Sequence, residues 1–361
     1  MGKFVEKRVK LVEITLVVAL AFGFTWIIPE KPAMASGSSA EIVLEQTSLR
    51  VLFARNEHLR LPNASTTKIV TAITVIEHTE NLDRVVAVPK VAVGTEGSSI
   101  YLTEGEKLTV RDLLCGLMLR SGNDAAVALA VVTAGNVWNF SVLMNNLAAK
   151  LGLKDSHFVN PHGLHDDNHY TSAYDLAVIT AYAMKNEDFR SIVSAKSATI
   201  PGADGEGRRY LKNKNKMLSL FDGADGVKTG YTKKAGRCLV TSAKRENMRL
   251  ISVVLNVSDM WNESAKMLET CFSKYKMKPL YFAAENAYWL KTEKGGRVLC
   301  MPKNSPEFPL TESEAATVRL DAKFNDVIPV GVKIGETVGK LDVYAENRLI
   351  FSTVFTTMQG K

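Results

Sequence analysis

The stretch Leu61-Pro62-Asn63-Ala64-Ser65-Thr66-Thr67-Lys68-Ile69-Val70-Thr71-Ala72-Ile73-Thr74-Val75-Ile76 decides the fold. Its pattern predicts a helix over about 64–79 with apolar residues on more than one face, and such a helix is a buried one. Something must cover it. Upstream, residues 41–44 and 49–55 read as two short strands around a Gln46-Thr47-Ser48 turn. Downstream, helical patterns occupy 109–119, 124–133, 140–151 and 173–185. The last of these is announced by Ser172 and Asp175 in capping-box spacing. Strand patterns return at 227–232, 236–243 and 250–257, with a hairpin-like turn at 244–248. An amphipathic helix over 261–276 follows. Strands, a block of helices, then strands and a helix predict an α/β (α+β) fold, an antiparallel sheet with helices segregated against it.

Past residue 278 the character changes. Short strand-like pieces at 298–301, 316–321, 327–332, 339–344 and 348–355 are separated by Gly, Pro and Asn, and no helical period is legible. We therefore expect three parts: a leader over 1–35, a larger domain over 36–278, and a C-terminal all-β domain over 283–361.

The leader sets the compartment. Lys3, Lys7, Arg8 and Lys10 precede an uncharged apolar run at 14–28, and Ala33-Met34-Ala35 supplies a small-residue cleavage signature. That order is a secretory signal peptide, with cleavage expected after Ala35. The rival reading is an uncleaved anchor; the run falls short of the roughly 20 residues that span a bilayer. Membrane contact is expected only if the leader is retained, since the chain stops at Lys361 without a terminal amphipathic helix. The protein is expected outside the cytoplasmic membrane, in the cell envelope or periplasm.

The 361 residues carry 46% hydrophobic and 23% charged side chains, which excludes wholesale disorder and a polytopic membrane protein. The net charge of +7 includes +2 from the leader, with five Lys/Arg against three Glu, so +5 remains on the other 326 residues. A mild basic excess suits an anionic envelope. Its densest run, Arg208 to Lys216, lies beside no recognised nucleic-acid motif and reads as a solvated loop near an anionic ligand. Cys115, Cys238, Cys271 and Cys300 sit in apolar stretches and read as buried thiols rather than a disulfide framework.

Three short motifs carry the chemistry. Ser65-Thr66-Thr67-Lys68 opens the buried helix, Ser121-Gly122-Asn123 falls between two helices, and Lys228-Thr229-Gly230 lies on a strand. A second S-x-x-K, Ser273 to Lys276, stands at the polar tail of a helix with neither partner motif after it, so the ordered triple is the signal. Residues i and i+3 share a helix face, which lets Lys68 reach the Ser65 hydroxyl. Serine needs an adjacent base to act as a nucleophile. Lysine serves only when burial or neighbouring cations lower its pKa. Ser65 in the first turn also places its N–H among the unpaired donors that can hold an oxyanion.

These motifs, with Asp225-Gly226 before and Tyr231-Thr232 after the third, resemble the D-alanyl-D-alanine carboxypeptidases, the low-molecular-mass penicillin-binding proteins. Asn160-Pro161-His162-Gly163-Leu164, His169-Tyr170 and Asn213–Lys216 match as well, and the resemblance runs from about residue 38 to 361. It implies a β-lactamase/transpeptidase-like catalytic domain plus the C-terminal β domain. It also implies a serine carboxypeptidase that removes the terminal D-alanine from peptidoglycan pentapeptide and is trapped by penicillins. Ser65 is then the acylated nucleophile and Lys68 its base. Ser121 relays a proton to the leaving amine, and Asn123 holds Lys68 and the substrate amide. Lys228, helped by Thr229, binds the terminal carboxylate, and Gly230 leaves room for an extended substrate to add as a strand. The N–H groups of Ser65 and Tyr231 form the oxyanion hole. The expected partners are peptidoglycan stem peptides and β-lactams, with no cofactor and no nucleic acid.

His157, His162, His165, Asp166, Asp167 and His169 crowd together, but without H-E-x-x-H spacing, and no metal is expected. The competing functions are a DD-endopeptidase or β-lactamase using the same site, and a non-catalytic penicillin-binding scaffold. No E-x-x-L-N segment of the class A β-lactamase kind lies between Asn123 and Lys228.

Overall fold

The hairpin of β1 (Ala40–Glu45) and β2 (Val51–Arg55) begins the structure, a computed structural model that describes residues 39–203 and 207–360. The leader lies outside the described residues, and with it the expected signal peptide. A single 3₁₀ turn, Ala64–Thr67, runs directly into α1 (Lys68–Glu77), all but the last residue of which is buried. Next come β3 (Val85–Ala87) and β4 (Lys107–Thr109), a two-stranded ribbon, and α2 (Val110–Cys115). One π turn, Gly116–Arg120, ends at Ser121 in the left-handed region. α3 (Asn123–Ala134), α4 (Val137–Lys150), α5 (Ala173–Ala183) and α6 (Glu187–Ser194) complete the helical block. The hairpin of β5 (Ser197–Pro201) and β6 (Arg208–Lys212) and the short α7 (Met217–Leu220) lead to β7 (Ala224–Thr232), β8 (Gly236–Arg245), β9 (Met248–Leu255) and α8 (Met260–Lys274).

The main sheet is antiparallel, in the order β2-β1-β9-β8-β7. Alternate side chains of a strand face opposite ways, and here both faces are covered. Ile42, Leu44, Ile251 and Val253 join the cluster containing α1, α3 and α5, whereas Val43, Leu250 and Val254 pack with Met267, Leu268 and Phe272 of α8. That double coverage explains why β1 and β9 read as continuous apolar runs. Between α8 and the sheet, Ser264 bridges Ser252 and Thr241 through hydroxyl contacts of 3.1 Å, so these buried polar groups satisfy one another.

Beyond α8, β10 (Lys276–Pro279), β11 (Tyr288–Lys291), β12 (Arg297–Pro302), β13 (Glu307–Leu310), α9 (Glu312–Ala316), β14 (Arg319–Phe324), β15 (Thr337–Ala345) and β16 (Arg348–Gly360) follow. Five of them make a second antiparallel sheet, β11-β12-β16-β15-β14, over its own core of Val298, Phe308, Leu341, Val343 and Phe355. Arg50 of the first hairpin reaches this region, pairing with Glu314, donating to the Pro309 carbonyl and lying over the Tyr275 and Phe308 rings.

Several elements differ from expectation. α9 supplies a helical turn where none was predicted, nucleated by a Thr311–Glu314 capping box too short to show a period. Residues 327–332 form no strand, because Pro329 lacks an N–H and Gly331 turns the chain at φ +79°. Ser172 caps α5 as predicted, but the Asp175 carboxylate accepts from Asp155 N and Ser156 Oγ rather than closing the box. The basic run begins as strand β6, and its Arg209 is paired with buried Glu106 rather than solvated. All four cysteines are unpaired, three of them buried. Among the described residues no single helix is long and apolar enough to cross a membrane.

Candidate active site

Ser65 sits on a turn stitched by its neighbours. Asn63 Nδ2 donates to Thr67 Oγ1 at 2.9 Å, and Thr66 Oγ1 donates to the Asn63 carbonyl at 2.6 Å. The Nε2 of fully buried His169 lies 2.8 Å from Thr67 Oγ1. These bonds hold Ala64 at φ +47°, and they leave Ser65 partly open while Ala64, Thr66 and Thr67 are buried.

Lys68 is wholly buried one turn on. Its Nζ lies 2.9 Å from Ser65 Oγ, 2.7 Å from Asn123 Oδ1 and 2.8 Å from the His162 carbonyl. Burial, then the charges of Lys228 and Lys214, push its pKa well below the ordinary lysine value, while Asp124 pulls the other way. All three contacts are to oxygen, so the Nζ is held by the Asn123 and His162 oxygens within hydrogen-bond reach of the Ser65 hydroxyl.

The second motif anchors the loop that faces this lysine. Ser121, at φ +65°, breaks the helical run so that Asn123 starts α3 pointing back at Lys68. Asn123 Nδ2 donates to the Glu96 carbonyl, and its own N–H donates to Ser98 O at 2.6 Å. One of the two amide hydrogens expected to serve substrate is therefore committed to the loop. Asp124, fully buried, accepts from Ile100 N, Leu102 N and Ser99 Oγ and fixes the same loop.

The third motif forms the other wall. Gly230 packs against the serine turn so closely that a Cβ there would lie 3.0 Å from Asn63 O and 3.1 Å from the amides of Ser65 and Thr66. The missing side chain thus serves the approach of β7 to the Ser65 turn. Lys228 is almost wholly buried, donates to the Thr229 carbonyl at 3.0 Å, and has its pKa lowered to about 7 by burial and then by Lys214. A cleft of about 380 Å³ brings Ser65, Ser121, Thr229, Gly230 and Tyr231 together. Lys68, Asn123 and Lys228 lie beneath its surface.

Motif reading missed part of this wall. Arg237 lines the cleft because β8 pairs it with Tyr231, a register that no local pattern announces. Lys214 lines it from the basic run, with Nζ 3.2 Å from Ser98 Oγ. Met260 and Trp261 close the side at the start of α8. The histidine-rich loop is also absorbed into the site: the His162 carbonyl holds Lys68, His169 holds Thr67, and His157 and His165 bond to the Asn168 carbonyl and Asp167. No group of three or more His, Cys, Asp or Glu among the described residues is arranged for a metal ion.

A serine hydroxyl against a buried, lowered-pKa lysine, at the edge of an antiparallel sheet backed by helices, defines a serine acyl-transfer enzyme. The chain belongs to the D-alanyl-D-alanine carboxypeptidase family, peptidase S11, which matches residues 27–259. It is 33% identical over 318 residues to the D-alanyl-D-alanine carboxypeptidase DacF of Bacillus subtilis, covering 85% of this chain and 82% of that one. It is 30% identical over 359 residues to DacD of Salmonella typhimurium, covering 95% and 90%. Among solved structures it resembles penicillin binding protein 5 from Haemophilus influenzae, with a TM-score of 0.79 at 28% identity, over 91% of this chain and 98% of that one.

Proposed function

We propose that this protein removes the terminal D-alanine from peptidoglycan stem pentapeptides through an acyl-enzyme on Ser65. The observation that carries the reading is the Lys68 amine, buried and held by Asn123 and His162 within hydrogen-bond reach of Ser65 Oγ. Ser65 Oγ attacks the penultimate D-Ala carbonyl and its proton passes to Lys68 Nζ. The tetrahedral oxyanion is received by the backbone N–H groups of Ser65 and Tyr231. Ser121 relays a proton to the departing amine of the terminal D-alanine, and water then hydrolyses the ester. Thr229 and Arg237 on the cleft wall meet the terminal carboxylate, and the nearby charges of Lys228 and Lys214 favour the anion, with no acid among the described residues that line the cleft.

Penicillins acylate the same serine. Export to the cell envelope, a catalytic domain over 36–278 and a separate β-rich domain over 283–361 complete the proposal. The test is labelling of the purified protein with a fluorescent penicillin beside Ser65→Ala and Ser273→Ala, followed by D-alanine release from pentapeptide. Ser273 is a fair control: its hydroxyl donates to the Thr270 carbonyl on the exposed face of α8. Stable label abolished only by Ser65→Ala, with D-alanine released, supports the carboxypeptidase. Label lost rapidly with antibiotic hydrolysis identifies a β-lactamase, and no label at all refutes serine acylation.

A further inference from the structure

The basic run puts Lys214 in the catalytic cleft and the lysines on either side of it in another cavity. Along 211–217, Leu211, Asn215 and Met217 are buried while Lys212, Lys214 and Lys216 are exposed. Lys214 lines the catalytic cleft. Lys212 and Lys216, with Lys196, line a second cavity of about 400 Å³, one residue away in the chain. Among the described residues no carboxylate lines that cavity, and none of its three lysines has an ion-pair partner. Asn215 lines it too; the residue is only 4% exposed, its Oδ1 accepts from Met217 N at 3.1 Å, and its Nδ2 has no hydrogen-bond partner. Ser197 and Ser219 add hydroxyls, and Tyr210 and Leu220 expose apolar surface beside them. Three unpaired cations, an unmet buried donor and an apolar shelf describe a place for an acceptor-rich anion attached to something larger.

We infer that this cavity is an accessory subsite for an anionic segment of the peptidoglycan polymer, the carboxylates of a stem peptide neighbouring the one in the cleft. The inference rests on the proposed function. Charge complementarity commits it to an anionic occupant, and the contiguity of Lys214 with Lys212 and Lys216 commits it to the polymer already held at Ser65. The cavity therefore separates polymeric from small substrates.

The test replaces all three lysines in the full chain, Lys196→Gln, Lys212→Gln and Lys216→Gln, and compares soluble pentapeptide with insoluble, uncrosslinked peptidoglycan. Penicillin acylation and kcat/KM on the soluble peptide are expected within about twofold of the parent, which also reports intact folding. On the polymer, kcat/KM is expected to fall about tenfold at low salt, and the parent to converge on the variant near 1 M salt as the charges are screened. Equal loss on both substrates, or no loss on the polymer, overturns the subsite. The comparison is repeated on polymer stripped of phosphate-bearing glycopolymers. If the difference vanishes there, the occupant is a phosphate polymer and the inference fails. A parent that neither acylates nor releases D-alanine from the soluble peptide refutes the proposed function instead.

Discussion

Gly163→Ala puts one methyl group against the backbone of the turn that carries Ser65. Gly163 has φ +85°, and a Cβ built on it lies 1.9 Å from Ala64 O, 2.4 Å from Ala64 C and 2.7 Å from Thr67 Oγ1. An L-residue in the left-handed region costs about 1 kcal/mol relative to glycine. The contact adds more, because the two nearest atoms, Ala64 O and C, are main chain and cannot rotate away. Reaching an ordinary 3.4 Å separation requires the two segments to part by about 1.5 Å, and forced expansion of a packed site costs about 1–3 kcal/mol. A stability loss of about 2–4 kcal/mol follows.

The functional loss is larger. The segment that moves carries the His162 carbonyl, 2.8 Å from Lys68 Nζ. A displacement of about 1 Å in a catalytic arrangement can cost about 100-fold in rate. The matched control is Gly135→Ala, with φ +81° and nothing within 4 Å of its built Cβ, which should cost about 1 kcal/mol and leave catalysis intact. Second-order acylation rates with a fluorescent penicillin, beside urea-unfolding midpoints, measure both quantities. Acylation of Gly163→Ala within about twofold of the parent, or an equal acylation loss in Gly135→Ala, refutes the reasoning.

Acid lability is expected from the two histidines under the site. Burial lowers the pKa of each of His162 and His169 from 6.5 to about 3, so the unfolded chain binds protons that the folded chain does not. Stability is whole above pH 6.5 and falls as pH drops toward 3, by up to about 1.4 kcal/mol per pH unit per histidine. Urea unfolding at pH 7 and pH 5 should show His169→Asn losing about 1–2 kcal/mol less than the parent between the two; equal losses contradict the assignment. The acylation rate rises with pH as Lys68 becomes neutral. Lys214→Gln removes one of the cations that lower its pKa, so the acid limb of the pH–rate profile should move to higher pH, and an unmoved limb denies the coupling. Arg50→Ala strips Glu314 of its partner and uncovers the Tyr275 and Phe308 rings. A loss of about 2–4 kcal/mol is expected in chemical unfolding, and a loss below 0.5 kcal/mol would show that this tie carries little.

The contact between Ser65 and Lys68 was legible from residue order alone. Ser65 in the 3₁₀ turn and Lys68 at the start of α1 are three apart in a helical run whose apolar faces demand burial, and that local fact brings hydroxyl and amine within 2.9 Å. β1 and β9 were likewise legible as short strands, whereas the cover on both their faces came from packing, with alternate side chains entering separate cores. Short elements such as α9 and β10 escaped notice because four or five residues carry no measurable period. Tertiary structure alone decided how the motifs divide the work. It buried Lys228 under its strand, committed one Asn123 amide hydrogen to Glu96, and made Gly230 a point of contact with the serine turn. Only strand register put Arg237 across from Tyr231, and only packing of a distant loop set the His162 carbonyl on Lys68 and His169 on Thr67. Local periodicity encodes which face of an element is buried, whereas contacts between residues about 100 positions apart depend on how those faces dock.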